Sequence, residues 1–290
     1  MIETIASTES NSEITAGYRL LELTFDQDVS VEAGQFAMLK PHAAFEPLLR
    51  RALAVYRVKG PRRLEFLYHV LGRGTQALSH LRQGDRVDAL VPLGNSWPLQ
   101  RRENNYRVPS SQRRDVLQKG SRAIVVAGGI GSASVLMLCS HLASSGIETQ
   151  IFFGAANNIV ARGCGLEDFR ELGQPITVTT DDGSLGEKGF VTVALERHLN
   201  EYGSSESVIY ACGPWAMMKR VAEIGDHFSV PCWVSLEAPM ACGFGVCVGC
   251  VVAVKTEEPL GYGSYKRVCT DGSVFRADHI RWEVNPFGLE

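Results

Sequence analysis

Four of the eight cysteines stand together as Cys242, Cys247, Cys250 and Cys269, a C-x4-C-x2-C-x18-C pattern. C-x4-C-x2-C with a distant fourth cysteine is the plant-type [2Fe–2S] spacing. The intervening Gly243-Phe244-Gly245-Val246 keeps charge away from the sulfurs, and its glycines let the backbone curl so that N–H groups point at thiolates. Four thiolates also satisfy tetrahedral zinc, but zinc ribbons pair two C-x2-C knuckles and the second knuckle is missing here, which favours the cluster. Of the other cysteines, Cys139 in an apolar helix pattern and Cys232 beside Trp233 read as core thiols. Cys164, in a glycine loop, has no assigned role.

Eight cysteines would imply disulfides only in a secreted chain. The N-terminus, MIETIASTESNSEIT, carries acids and hydroxyls where a signal peptide has a basic region and an apolar run. The most apolar stretches, Ala123 to Leu138 and Cys232 to Val254, are broken by small or polar residues and do not form an uninterrupted span of about 20 residues. The expectation is a soluble, cytoplasmic protein with free thiols and no membrane association. A net charge of −3 supplies no basic field for nucleic acid.

The chain has 290 residues, enough for two domains at about 150 residues each. Its first hundred residues read as short strands, Tyr18 to Phe25, Gln35 to Lys40, Leu53 to Val58, Leu64 to Val70 and Arg86 to Val91, with one short helix at Gln76 to Leu81. Strands at that spacing with glycine and proline turns predict a small antiparallel barrel or sandwich. Gln100 to Gly120 is polar and arginine-rich, without stacking aromatics, and reads as a surface insertion or linker.

Beyond it, strands at Ala123 to Ala127, Thr149 to Gly154, Ile176 to Thr180 and Ser207 to Ala211 alternate with helices. The helices are predicted at Ser132 to Ser144, near Leu166 to Leu172, at Val191 to Tyr202 and at Trp215 to Phe228. Such alternation predicts a parallel sheet of the nucleotide-binding class. The segment from about Val230 shows few periodic elements, so its order is expected to depend on the cluster.

A one-electron cluster joined to a nucleotide-binding fold poses a chemical problem, because a nicotinamide delivers hydride. A flavin accepts hydride and releases single electrons, so a flavin site is expected in the β-domain.

Specific strings agree. Arg50 to Val55 (RRALAV), Tyr68 to Thr75 (YHVLGRGT) and Pro92 to Trp97 (PLGNSW) resemble flavin-side strings of the ferredoxin reductase superfamily. Ala127 to Gly131, Thr180 to Gly186 and Tyr210 to Pro214 are similar to its nicotinamide-side strings. Ser235 to Cys250 and Tyr265 to Gly272 resemble the electron transfer subunits of NAD-dependent dihydroorotate dehydrogenases. The match runs in order over most of the chain.

The resemblance implies three parts: an FAD-binding β-barrel over 1–118 with the insertion at about 100–120, an NAD-binding α/β domain over 119–229, and a [2Fe–2S] domain over 230–290. It implies an oxidoreductase subunit of pyrimidine biosynthesis that does not itself oxidise dihydroorotate. Electrons would pass from NADH through FAD and the cluster to the FMN of a catalytic subunit, in a heterotetramer of two subunits of each kind. A reductase subunit for a hydrogenase or sulfite reductase type of acceptor is the alternative, and a zinc-stabilised binding module the alternative from another class.

The resemblance also implies site residues. Arg51 would sit on the flavin pyrophosphate, where a guanidinium fork suits phosphate. Ala52, Leu53, Ala54, Tyr68, His69 and Val70 would face the flavin, with donors to phosphate from Gly74 and Thr75. Gly128, Gly129 and Gly131 would hold the nicotinamide pyrophosphate at a helix N-terminus, and Cys212, Gly213 and Pro214 would approach the nicotinamide, Cys212 as the catalytic candidate. Cys242, Cys247, Cys250 and Cys269 would hold the metal. The chain departs from the family's Arg-Pro-Ile/Leu-Ser at Arg51-Ala52-Leu53-Ala54, which predicts weaker flavin binding. It also has Ala133-Ser134 where the family often has Ala-Pro.

Overall fold

The computed structural model describes residues 1–42, 46–99, 116–117, 120–256 and 261–285. Most of the stretch read as an insertion, and positions 257–260 of the loop before Cys269, lie outside the described residues.

The first sheet is antiparallel, built from β1 (Ile2–Thr15), β2 (Tyr18–Phe25), β3 (Phe36–Pro41), β4 (Arg51–Ala54), β5 (Arg57–Gly60), β6 (Arg63–His69) and β7 (Arg86–Leu93). Its order is β4-β3-β7-β1-β2-β6-β5. The edge strand β4 touches β6, near the opposite edge, so the sheet curls into an open barrel. Alternation places Leu21, Leu23 and Phe25 of β2 inside with Leu64 and Phe66 of β6, Val87 and Ala89 of β7 and Leu39 of β3. Sequence reading did not assign β1, whose exposed face is nearly all polar. It forms because β2 and β7 flank it on both sides and satisfy its backbone. The run Leu53 to Val58 is split between β4 and β5. Among the described residues of this part, one helix, α1 (Arg73–Ser79), packs on the barrel, starting three residues earlier than predicted.

The second sheet contains β8 (Arg122–Gly128), β9 (Thr149–Ala155), β10 (Ile176–Thr180), β11 (Glu187–Lys188), β12 (Ser207–Cys212), β13 (Cys232–Ser235) and, at its edge, β16 (Val274–Arg276). The order is β11-β10-β9-β8-β12-β13-β16, parallel except for the last pair. Crossovers run through α2 (Ser132–Ser144), α3 (Asn158–Gly163), α4 (Leu166–Arg170), α5 (Val191–Tyr202) and α6 (Trp215–His227). Helices on both faces explain why Ala123 to Ala127 of β8 are all buried. The chain leaves β8 for β9 on one side and reaches β12 on the other. Their carboxyl ends therefore form a topological switch point, where such sheets open a ligand crevice.

The C-terminal segment differs from expectation. It adds β13 and β16 to the second sheet, and pairs β14 (Val251–Ala253) with β15 (Tyr265–Arg267). Val234, Val252, Val268, Phe275 and Ile280 share one interior with Ile209, Val221 and Ile224. Much of its order thus comes from apolar burial. Elements of three or four residues are too short to show a period.

Candidate functional site

The four cluster cysteines fall into two pairs. Cys242 and Cys247 place their sulfurs 3.3 Å apart, and the Cys247 N–H donates to the Cys242 sulfur at 3.5 Å. A disulfide would need about 2.05 Å, and all eight cysteines of the chain are free. Cys250 and Cys269 form the other pair, hydrogen-bonded side chain to side chain and both buried. Burial opposes ionisation of Cys242, but N–H groups of Cys247, Phe244 and Val246 overcome it and bring the thiol down to about 6. Burial and the neighbouring Cys250 push Cys269 up to about 12.

The loop geometry follows from its glycines. Gly243 and Gly245 adopt φ of +81° and +88°, which turn successive N–H groups inward. Two thiolates per iron is the ligand requirement of a [2Fe–2S] centre, and two pairs meet it. Among the described residues, no three His, Cys, Asp or Glu side chains are grouped to hold one metal ion.

The flavin-side residues lie on β4, β6 and α1. β4 is the sheet's edge, and β5 pairs only with Arg63–Glu65 of β6, so Phe66 to His69 carry no strand on that side. The two open rims face each other where β4 meets β6. Ala52, Leu53 and Ala54 are half-buried along the first rim, and Val70 ends the second. The Tyr68 hydroxyl is turned inward and donates to Asn11 Oδ1 at 3.1 Å. The His69 ring stacks on Tyr18 with centroids 4.1 Å apart. These strands therefore offer backbone to the rim while their larger side chains are occupied elsewhere.

The Arg51 guanidinium lies directly on Gly74, where an added Cβ would come within 1.9 Å of Nε. Arg50 Nε is buried without a hydrogen-bond partner, while Nη2 of the same guanidinium pairs with Glu3. The Thr75 hydroxyl accepts from the Leu71 and Gly72 N–H groups and donates to the Gly72 carbonyl. It shapes the turn into α1.

At the switch point the two glycine turns interlock. A Cβ on Gly131 would meet the Cys212 carbonyl and the Gly213 nitrogen at 2.6 Å, and one on Gly213 would meet Gly128 Cα at 2.9 Å. Gly129, at φ +52°, starts the turn into α2. Pro214 precedes α6. Cys212 itself is fully buried, and its backbone packs against Gly131 of the facing turn. Burial pushes its thiol far above the ordinary range, and hydrogen bonds from Ser134 and Ser235 offset only part of that. Ser134 also donates to Ser235 at 3.0 Å, closing a buried knot. Ser134 was noted in the sequence only as a departure. Its partners are 78 and 101 positions away in the chain, and no local pattern signals them.

With this geometry in hand, comparisons with known proteins are specific. Residues 237–281 match a family model described as the iron-sulfur cluster binding domain of dihydroorotate dehydrogenase B. The chain is 34% identical over 253 residues to the dihydroorotate dehydrogenase B (NAD(+)) electron transfer subunit of Desulforamulus reducens, covering 86% of this chain and 87% of that one. It is 32% identical over 283 residues to an Aquifex aeolicus homolog of that subunit, covering 97% and 99%. Among solved structures, an NADH-dependent reduced ferredoxin-NADP oxidoreductase, studied for flavin-based electron bifurcation, superimposes with a TM-score of 0.75 at 26% identity. That match covers 96% of this chain and 90% of that one.

Proposed function

Because the chain belongs to the family of dihydroorotate dehydrogenase B electron transfer subunits, we propose that its rims, turns and thiol pairs divide the work of carrying electrons from NADH to a catalytic partner. It is an oxidoreductase subunit of pyrimidine biosynthesis that uses FAD and a [2Fe–2S] cluster and takes its electrons from NADH. When bound, the flavin supplies the conversion of hydride into single electrons, and the cluster carries them one at a time.

The chain's own residues supply position and electrostatics. Arg51 binds the flavin pyrophosphate over Gly74, and the facing rims of β4 and β6 receive the ring by backbone contact. Gly129, where an added Cβ would meet nothing, leaves room for the nicotinamide dinucleotide at the N-terminus of α2, while Gly128 and Gly131 let that turn pack against Met217, Cys212 and Gly213, with Pro214 on the other side. Cys212 acts as a positioning residue there, since its thiol is fully buried and its backbone packs against Gly131 where the two turns meet. Cys242 with Cys247, and Cys250 with Cys269, each hold one iron. The pairing of the thiols inside the matched segment is the observation that carries this reading.

The partner is a catalytic flavin subunit, which the expected path gives FMN, in an assembly of two copies of each. Phe244, Val246 and Val248 are 43%, 73% and 42% exposed around Cys247 and form an apolar collar at the outer thiol pair, a surface suited to a protein partner. None of the described helices is long and apolar enough to cross a membrane. The location we propose for it is the cytoplasm, beside the nucleotide-synthesis enzyme proposed as its partner.

The test is anaerobic titration of the purified protein with NADH. Flavin and cluster absorption that bleach together support the proposal, and a colourless protein containing zinc overturns it. Co-purification with the catalytic subunit, lost when Val246→Glu is introduced, checks the partner surface.

A further inference from the structure

The barrel and the cluster segment are joined at a place that electron donation and acceptance do not themselves require. After β7 the chain turns at Gly94, φ +74°, and Asn95 follows. The Asn95 side chain donates from Nδ2 to the Val274 carbonyl at 2.8 Å and accepts at Oδ1 from the Val274 N–H at 2.8 Å. Its backbone N–H donates to the Gly272 carbonyl at 2.6 Å. The Ser273 hydroxyl donates to the Gly34 carbonyl at 3.1 Å. These bonds converge on Gly272 to Val274, three to five residues beyond Cys269 and leading into β16.

The other end of the four-cysteine segment rests on the same strands. Gly243, next to Cys242, presses on Met38 of β3 and Leu93 of β7, and a Cβ there would come within 2.5 Å of Met38 Cγ. Met38 in turn is registered with Ala52 of β4, on the rim proposed to receive the flavin. The cysteine segment is thus held at one end on β3 and β7 and at the other on Gly34 and Asn95, which flank those strands. Asn95 supplies the polar half of that attachment.

Both amide atoms of Asn95 are used on Val274, so the side chain has no role in holding the flavin. A side-chain amide that satisfies the N–H and C=O of one residue fixes that residue in two directions. Interfaces between domains of one chain otherwise allow relative motion, and transfer between two centres held on different elements requires a constant short separation.

We propose that Asn95 is a positioning residue for internal electron transfer, holding the cluster segment in register with the flavin-side strands. This rests on the function proposed above. For each NADH oxidised to NAD+, one hydride is taken up and its proton is released. Two electrons then cross singly, each reducing the cluster by one electron before a one-electron acceptor such as ferricyanide removes it.

The test compares two rates in the anaerobic holoprotein mixed rapidly with NADH, namely bleaching of the flavin and appearance of the reduced-cluster EPR signal. In Asn95→Ala the second rate is expected to fall several-fold, because single-electron transfer slows exponentially as the two centres move apart, with flavin bleaching and the flavin and iron contents held. Hydrogen exchange of the Val274 amide should quicken, because its acceptor is gone. Ser273→Ala, which removes one bond, should slow the same step less and carries the test if Asn95→Ala does not fold. Parallel loss of both rates, loss of either cofactor, or an unchanged cluster rate with quickened exchange would overturn the proposal. Failure of NADH to bleach the flavin of the unsubstituted protein would instead overturn the underlying function.

Discussion

The sulfurs of Cys242 and Cys247 lie 3.3 Å apart at the outer edge of the molecule, with Cys247 exposed, while Cys250 and Cys269 pair inside it. Cys242 is only half-buried and Cys247 is exposed, so loss of the outer pair should affect the metal more than the fold. Cys247→Ser is expected to abolish the [2Fe–2S] absorption and EPR signal while flavin content and melting temperature stay near those of the parent. Full iron and sulfide content in that variant would contradict the assignment of the pairs.

Cluster removal should divide the C-terminal segment. The loop from Cys242 to Cys250 exposes Phe244, Val246 and Val248 and has little apolar burial of its own, whereas Val234, Phe275 and Ile280 are buried with the core of the second sheet. After the iron is chelated under reducing conditions, hydrogen exchange should rise strongly in the loop and change little in β13 and β16. Uniform loss of protection from Val230 onward would show that the cluster, and not the core, orders the segment.

The outcome bears on what sequence alone could reveal. Ser132–Ser144 and Val191–Tyr202 were placed with their observed limits because each is long enough for its apolar pattern to be read. The cysteine spacing was legible because metal ligation constrains residue type as well as distance. β13, with four residues, and β1, with one polar face, gave no such pattern. The contacts that set the site were invisible for a different reason. Asn95 and Val274 are 179 positions apart, and an asparagine beside a glycine reads locally as a turn and nothing more.

The altered flavin string predicts opposite effects for two substitutions. Arg51→Ala removes charge-assisted hydrogen bonds, worth about 1.5–3 kcal/mol, so FAD affinity should fall roughly ten- to hundredfold. Arg51→Lys should recover only part, since a point charge cannot form the fork. Ala54→Ser restores the hydroxyl of the family pattern at the end of β4 and, with a neutral hydrogen bond worth about 0.5–1.5 kcal/mol, should tighten FAD about two- to tenfold. Fluorescence titration of the apoprotein with FAD measures all three, and an Ala54→Ser variant that binds no tighter would place the rim elsewhere.

His198 on α5 packs against Phe152 and Tyr202, with ring centroids 5.4 and 4.8 Å away. Burial, helped by the positive charge of Arg122 and opposed by Glu201, holds its imidazole below the ordinary value near 6.5. The unfolded chain therefore binds a proton at higher pH than the folded one. The stability due to the neutral ring is complete above about pH 6.5 and is lost as pH falls from there toward the folded value. His198→Phe keeps an aromatic ring in place without a titrating group and should flatten melting temperature between about pH 7 and 5. A slope should remain from His69, whose burial shifts it the same way. An unchanged slope in His198→Phe would assign the whole dependence to other groups.

At the switch point, Gly131 is the most restrictive position. A Cβ there would lie 2.6 Å from the Cys212 carbonyl and the Gly213 nitrogen, backbone atoms that cannot rotate away. Gly131→Ala must therefore push the turn after β8 away from the turn after β12, the separation that sets the width of the crevice. Overpacking of this kind costs about 1–3 kcal/mol. The KM for NADH should rise about tenfold as the dinucleotide site is distorted. The flavin rims and the thiol pairs lie on other elements, so flavin and iron contents should be unchanged, and chemical reduction by dithionite should proceed at the parental rate. A variant that binds NADH normally would show that the dinucleotide does not enter between β8 and β12.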